Sequence, residues 1–88
     1  MSERRWPSVF VYSTHDCVDC RRSKSLLRRL GVPYDEIYVD DDAAATAEVL
    51  RLNKGRRTLP TIVIGGNVVL AEPADRELHD ALLRESIL

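Results

Sequence analysis

Cys17 and Cys20 are the chain's two cysteines, and their setting constrains the fold more than any other feature. Ahead of them lies Val9-Phe10-Val11-Tyr12, a β-branched and aromatic run suited to a strand. Behind them Leu26, Leu27 and Leu30 form an apolar helical stripe, with Cys20 and Ser23 continuing that face toward the N-terminus. A strand that passes into a helix across a Cys-x-x-Cys pair sets Cys17 at or beside the helix N-terminus. There the helix dipole and the free backbone N–H groups favour a thiolate. A pair so placed reads as a reversible dithiol.

The rest of the chain alternates in the same way. A first strand is expected over 8–13, central in its sheet and buried on both faces because its apolar residues are consecutive. The first helix spans 20–30 and is ended by Gly31 as a left-handed cap. Residues 34–39 alternate apolar and acidic side chains as a second strand. Asp42 is a good N-cap for a helix over 43–52. A basic loop over 53–58 leads to a third strand over 60–64. Gly65-Gly66-Asn67 supplies a hairpin turn tolerant of positive φ, and a fourth strand follows over 68–71. Pro73 opens a last helix through 83, with Leu78, Ala81, Leu82 and Ile87 as core candidates. The order β-α-β-α-β-β-α makes the first two strands parallel through a right-handed crossover and the last two an antiparallel hairpin. The expected fold is α/β, one domain over 1–88, with a mixed four-stranded sheet and helices on both faces.

Bulk properties narrow the function. The net charge of -1 argues against a nucleic-acid partner or an anionic membrane surface. No apolar run approaches a membrane span. The opening Met1-Ser2-Glu3-Arg4-Arg5-Trp6-Pro7 has arginines without an apolar segment behind them, so it does not read as a secretory signal. A cytoplasmic protein is expected, and in a reducing cytosol a lone Cys pair points to catalysis or metal binding rather than to a structural staple.

Three features together resemble the glutaredoxin branch of the thioredoxin fold, over nearly the whole chain. They are the strand–Cys17-Val18-Asp19-Cys20–helix passage, the Arg57-Thr58-Leu59-Pro60-Thr61 segment and the glycine-turn hairpin followed by a helix. Within that branch, the stretch from Asn53 to Thr61 and Leu70-Ala71-Glu72-Pro73-Ala74 are most similar to mycoredoxins, which use mycothiol. The resemblance implies a thioredoxin-like fold and a thiol–disulfide oxidoreductase, with Cys17 attacking and Cys20 resolving. It also implies a cis peptide at Pro60. Thr14, Arg57, Thr58, Leu59, Pro60, Ala74 and Asp75 then become the substrate-binding set. The chain departs from the branch in several places: Val18-Asp19 replaces the usual Pro-Tyr or Gly-Tyr, Thr14 stands where a lysine is frequent, Asp16 where an aromatic or Thr is, and Leu70-Ala71 replaces a Gly-Gly that serves glutathione. The implied reductant is therefore mycothiol or a similar low-molecular-weight thiol, with no tightly bound cofactor. The implied partners are disulfide-containing or S-thiolated proteins and a flavin reductase, and the expected state is a monomer.

Other residues carry competing readings. Asp16 and Asp19 flank Cys17 and disfavour its thiolate, with the helix dipole and Arg21, Arg22 and Lys24 pushing the other way, or they simply cap the helix start. Arg56 and Arg57 hold a carboxylate of a thiol cofactor, stabilise the Cys17 thiolate, or form a solvated basic loop. The basic residues Arg21, Arg22, Lys24, Arg28 and Arg29 read as a solvated face. Asp40 and Asp41, with Asp42, lack calcium-loop spacing. His15 either tunes the Cys pair or is an exposed loop imidazole, His79 reads as a surface residue, and Trp6 as packing near the first strand. The rival function is a metal-binding module, with the Cys pair giving half of a zinc or iron–sulfur site that a second subunit completes.

Overall fold

The structure, a computed structural model, describes residues 8–88. The readings of the first seven residues, Trp6 included, lie outside them. Val9–Ser13 forms β1, Val18–Arg29 α1 and Asp35–Tyr38 β2. A 3-10 turn over Val39–Asp41 precedes α2, Ala43–Leu52. Thr61–Ile64 is β3, Val68–Ala71 β4 and Asp75–Arg84 α3. The sheet order is β2-β1-β3-β4, with β1 and β2 parallel and the other two pairings antiparallel. This is the expected α/β topology.

Side-chain alternation on β1 divides the core. Val9 and Val11 face a layer built from Leu26 and Leu27 of α1 and Leu78, Ala81 and Leu82 of α3, closed by Ile62, Ile64 and Leu70. Tyr12 points the other way, toward Val39, Ala45 and Val49 on the α2 side. Helices therefore cover both faces. The expectation that β1 is buried on both faces holds for one of them: Val9, Val11 and Ser13 are buried, whereas Phe10 and Tyr12 are half-exposed, because the α2 layer is the smaller of the two.

The helix boundaries follow local chemistry. Asp42 caps α2 as expected, its Oδ1 accepting from the N–H groups of Ala44 and Ala45. Gly31 adopts φ +72 past the end of α1, where Val32 N–H reaches back to Leu27 O. Three of the boundaries that move have a local cause. α1 starts at Val18 rather than at residue 20, since Cys17 itself is the N-cap. β2 stops at Tyr38, because Val39 turns into the core as part of the 3-10 turn. α3 starts at Asp75 behind Ala74 as N-cap, because Pro73 and Glu72 belong to the connection from β4.

Candidate active site

Register places one end of the sheet under the site. The C-terminal end of β1 lies opposite the start of β3, with Tyr12 beside Thr61, and Thr61 lies opposite Ala71 at the end of β4. The segments after β1, before β3 and after β4 therefore leave the sheet together. These hold Thr14 to Cys17, Thr58 to Pro60, and Glu72 to Ala74.

Cys17 caps α1 in extended backbone, and its sulfur accepts the Cys20 N–H at 3.1 Å. A sulfur in that position meets the unpaired N–H groups of the first helical turn, which favour negative charge. Cys17 and Cys20 are joined by a disulfide with Cα atoms 5.2 Å apart. Cys20 is fully buried, whereas Cys17 is partly exposed and the Val18 side chain beside it is 69% exposed.

The Leu59–Pro60 peptide is cis, as expected. Three hydrogen bonds fix this segment. Thr61 Oγ donates to Thr58 O at 2.6 Å and accepts from Asn53 Nδ2 at 2.9 Å. On the other side the Glu72 N–H donates to Pro60 O at 2.7 Å, tying the β4–α3 connection to the proline. Pro60 is buried, Thr58 and Leu59 are half-buried, and Arg57 is exposed. Thr14 and Asp75 are half-buried and Ala74 is exposed.

The basic face of α1 corrects the expectation of free solvation. Lys24 is only 12% exposed and pairs with Glu36, which also accepts from Ser13 Oγ at 2.7 Å. Burial pushes the Glu36 carboxyl up, but Lys24 and Ser13 outweigh it and leave the group below its ordinary value. Arg22 bonds Asp19 at 2.6 Å and Pro73 O at 3.2 Å, and reaches Asp75 Oδ1 at 3.4 Å. Arg28 donates to the Tyr34 hydroxyl. Arg21 and Arg29 are exposed, as read from the sequence.

His15 is exposed but held. Its ring stacks on Tyr38 at 3.9 Å, Nε2 lies 2.8 Å from Asp41 Oδ2, and its backbone N–H donates to Asp40. The Asp41 hydrogen bond raises its pKa, with the charge of Asp40 adding to the rise. His15, Asp40 and Asp41 bring their ligand-type atoms within 4.8 Å of one another, yet all three are exposed and neither cysteine joins them. His79 is half-buried and lies 3.5 Å from Asp80.

Sequence reasoning missed the cross-links made here. Arg22, read only as a charge near Cys17, joins Asp19 to Pro73 and Asp75, and its i,i+3 spacing from Asp19 was the available signal. Glu72 takes a left-handed φ of +50 in the connection behind the proline, and nothing in its residue type announced that.

A buried and a partly exposed cysteine joined across a helix N-terminus, with a cis-proline segment leaving the same sheet end, define a thioredoxin-like redox protein. The glutaredoxin family model matches residues 9–69. A relative from Mycobacterium tuberculosis that carries the glutaredoxin name is 31% identical over 77 residues, spanning 88% of this chain and 92% of that protein. Among solved structures, the thioredoxin-like protein BC3987 superposes with a TM-score of 0.73 at 33% identity, covering 82% of this chain and 96% of that one. The glutaredoxin-like NrdH-redoxin from Escherichia coli, described as having a thioredoxin-like activity profile, superposes at 0.69 with 28% identity, covering 82% and 91%. The chain belongs to the glutaredoxin family, and with it to the thiol–disulfide oxidoreductases. The family takes thiol and disulfide substrates and uses glutathione or similar thiols as reductant. No helix among the described residues is long and apolar enough to cross a membrane.

Proposed function

We propose that this single-domain chain reduces protein disulfides and mixed disulfides of small thiols, with Cys17 attacking and Cys20 resolving. The observation that carries the reading is the difference in burial between two sulfurs that already reach each other: Cys17 is partly exposed at the helix N-cap and Cys20 is fully enclosed. In the reduced protein the Cys17 thiolate attacks one sulfur of the substrate disulfide. A Cys17–S bond forms as the substrate S–S bond breaks, and the other substrate sulfur leaves as a thiolate that takes a proton. Cys20, deprotonated in turn, attacks the Cys17 sulfur. The Cys17–Cys20 bond forms and the second substrate thiol leaves. Two equivalents of a low-molecular-weight thiol then return the pair to the dithiol.

Substrate binding falls to Thr14, Arg57, Thr58, Leu59, Pro60, Ala74 and Asp75. Leu59 presents backbone groups to an extended chain as an added strand would. Arg57 is exposed and suited to a carboxylate. Ala74 offers no side-chain cap, so the first N–H groups of α3 are open to a second carboxylate, beside Asp75 for an amine. Mycothiol is the favoured thiol, supported by Leu70-Ala71 in place of glycines and by the mycobacterial relative. The activity profile of the Escherichia coli neighbour supports a second source of electrons, a flavin reductase acting on the disulfide directly. The reading implies a cytoplasmic monomer.

The test offers reduced Cys20→Ser protein a mixture of mycothiol, bacillithiol and glutathione disulfides and reads the intact mass. One adduct on Cys17, dominated by mycothiol, is expected. Absence of any adduct would sink the small-thiol mechanism and favour the flavin reductase.

A further inference from the structure

Asp19 stands between the two cysteines, in the first turn of α1. A carboxylate there suits the helix dipole but opposes a thiolate two residues away. Arg22, one turn on, meets it at 2.6 Å through one terminal guanidinium nitrogen. The other terminal nitrogen donates to Pro73 O at 3.2 Å, a partner 51 positions away in the chain, and Nε lies 3.4 Å from Asp75 Oδ1. That Asp75 oxygen is shut off from solvent and accepts no hydrogen bond, so the Arg22 charge is what compensates it. Three nitrogens serve three partners, a spread that the planar guanidinium fork spans and a compact ammonium does not.

We propose that Arg22 is a positioning residue for the reaction at Cys17: it offsets the Asp19 carboxylate between the cysteines and holds residues 73–75 against the start of α1. This rests on the reading of Cys17 as the attacking sulfur. A thiolate next to an offset carboxylate forms more readily than one next to a bare carboxylate. The Arg22 and Asp19 side chains are 42% and 38% exposed, so the effect is screened by water and falls with salt.

The test measures the rate of Cys17 alkylation by iodoacetamide at low salt, at a pH where the parent rate still rises about tenfold per pH unit, in the reduced Cys20→Ser protein. There the rate follows the thiolate fraction, and Arg22→Gln is expected to slow it about threefold. Adding Asp19→Asn should bring the double variant back to within about twofold of the parent, and 1 M salt should shrink the Arg22→Gln effect. A purely structural role for Arg22 predicts no such rescue. The charge offset is refuted if Arg22→Gln matches the parent, or if Asp19→Asn fails to restore it. If the parent Cys17 alkylates no faster than an unperturbed thiol, the nucleophile assignment fails instead, and the two failures remain distinct.

Discussion

Thr61→Val removes one oxygen and leaves the side-chain shape nearly unchanged, which makes it a sharp probe of how the proline segment is held. The Thr61 hydroxyl is fully buried, donates to Thr58 O at 2.6 Å and accepts from Asn53 Nδ2 at 2.9 Å. Valine leaves both partners unpaired. Each is half-buried, so water recovers part of the loss, and about 1 kcal/mol per partner is the fitting figure, roughly 2 kcal/mol in all. Thr61→Ser keeps the hydroxyl and deletes a buried methyl, for about 1 kcal/mol. Strand propensity favours valine over serine, so it works against the expected order and makes the comparison stricter. In urea, with a slope of about 1 kcal/mol per molar for a chain this short, the valine midpoint should fall by roughly 2 M and the serine midpoint by roughly half as much. A valine variant as stable as the parent, or more stable than the serine variant, would show that the Asn53–Thr61–Thr58 chain does not hold this segment.

Three further outcomes follow from the same geometry. The His15 ring should titrate above 6.5 by NMR, its raised value meaning that the bond to Asp41 is fully present below pH 6.5 and is lost as pH rises through the folded value; Asp41→Asn should return the midpoint toward 6.5. Glu36 has the opposite sign: its contribution is complete above pH 4.5 and is lost as pH falls through its depressed folded value, so Glu36→Gln should flatten the acid arm of the stability curve below pH 4.5. Asp42→Ala should cost about 1 kcal/mol by removing the α2 cap, and Asp42→Asn should recover most of it in the same denaturation assay, whereas equal losses would rule out capping.

Local signals made much of the fold legible. The Cys pair between a strand and a helix, Asp42 before an alanine-rich stretch and the glycine turn are each decided within a few residues of themselves, and each formed as expected. What escaped depends on distant partners. Val39 extends a strand-like pattern, yet it turns into the core because Ala45, Val49 and Tyr12 supply a pocket there. Lys24 and Arg22 sit in a basic helix that looks free, until β2 brings Glu36 and the β4–α3 connection brings Pro73 and Asp75. His15 meets Asp41 across 26 positions, which no window of sequence contains. The candidate site was similarly divided. Its sulfur chemistry was readable from spacing, and the cis-proline from resemblance. The cross-links behind it come from Arg22, Glu72 and Thr61, and these appear only when the sheet end assembles.

The assignment of roles to the two sulfurs is tested most directly by limited alkylation. The reduced wild-type protein is treated with less than one equivalent of iodoacetamide at neutral pH, and the labelled peptides are mapped by mass. Cys17, partly exposed at the helix N-cap, should carry nearly all the label while the fully buried Cys20 stays free. Label shared equally, or found first on Cys20, would contradict the account.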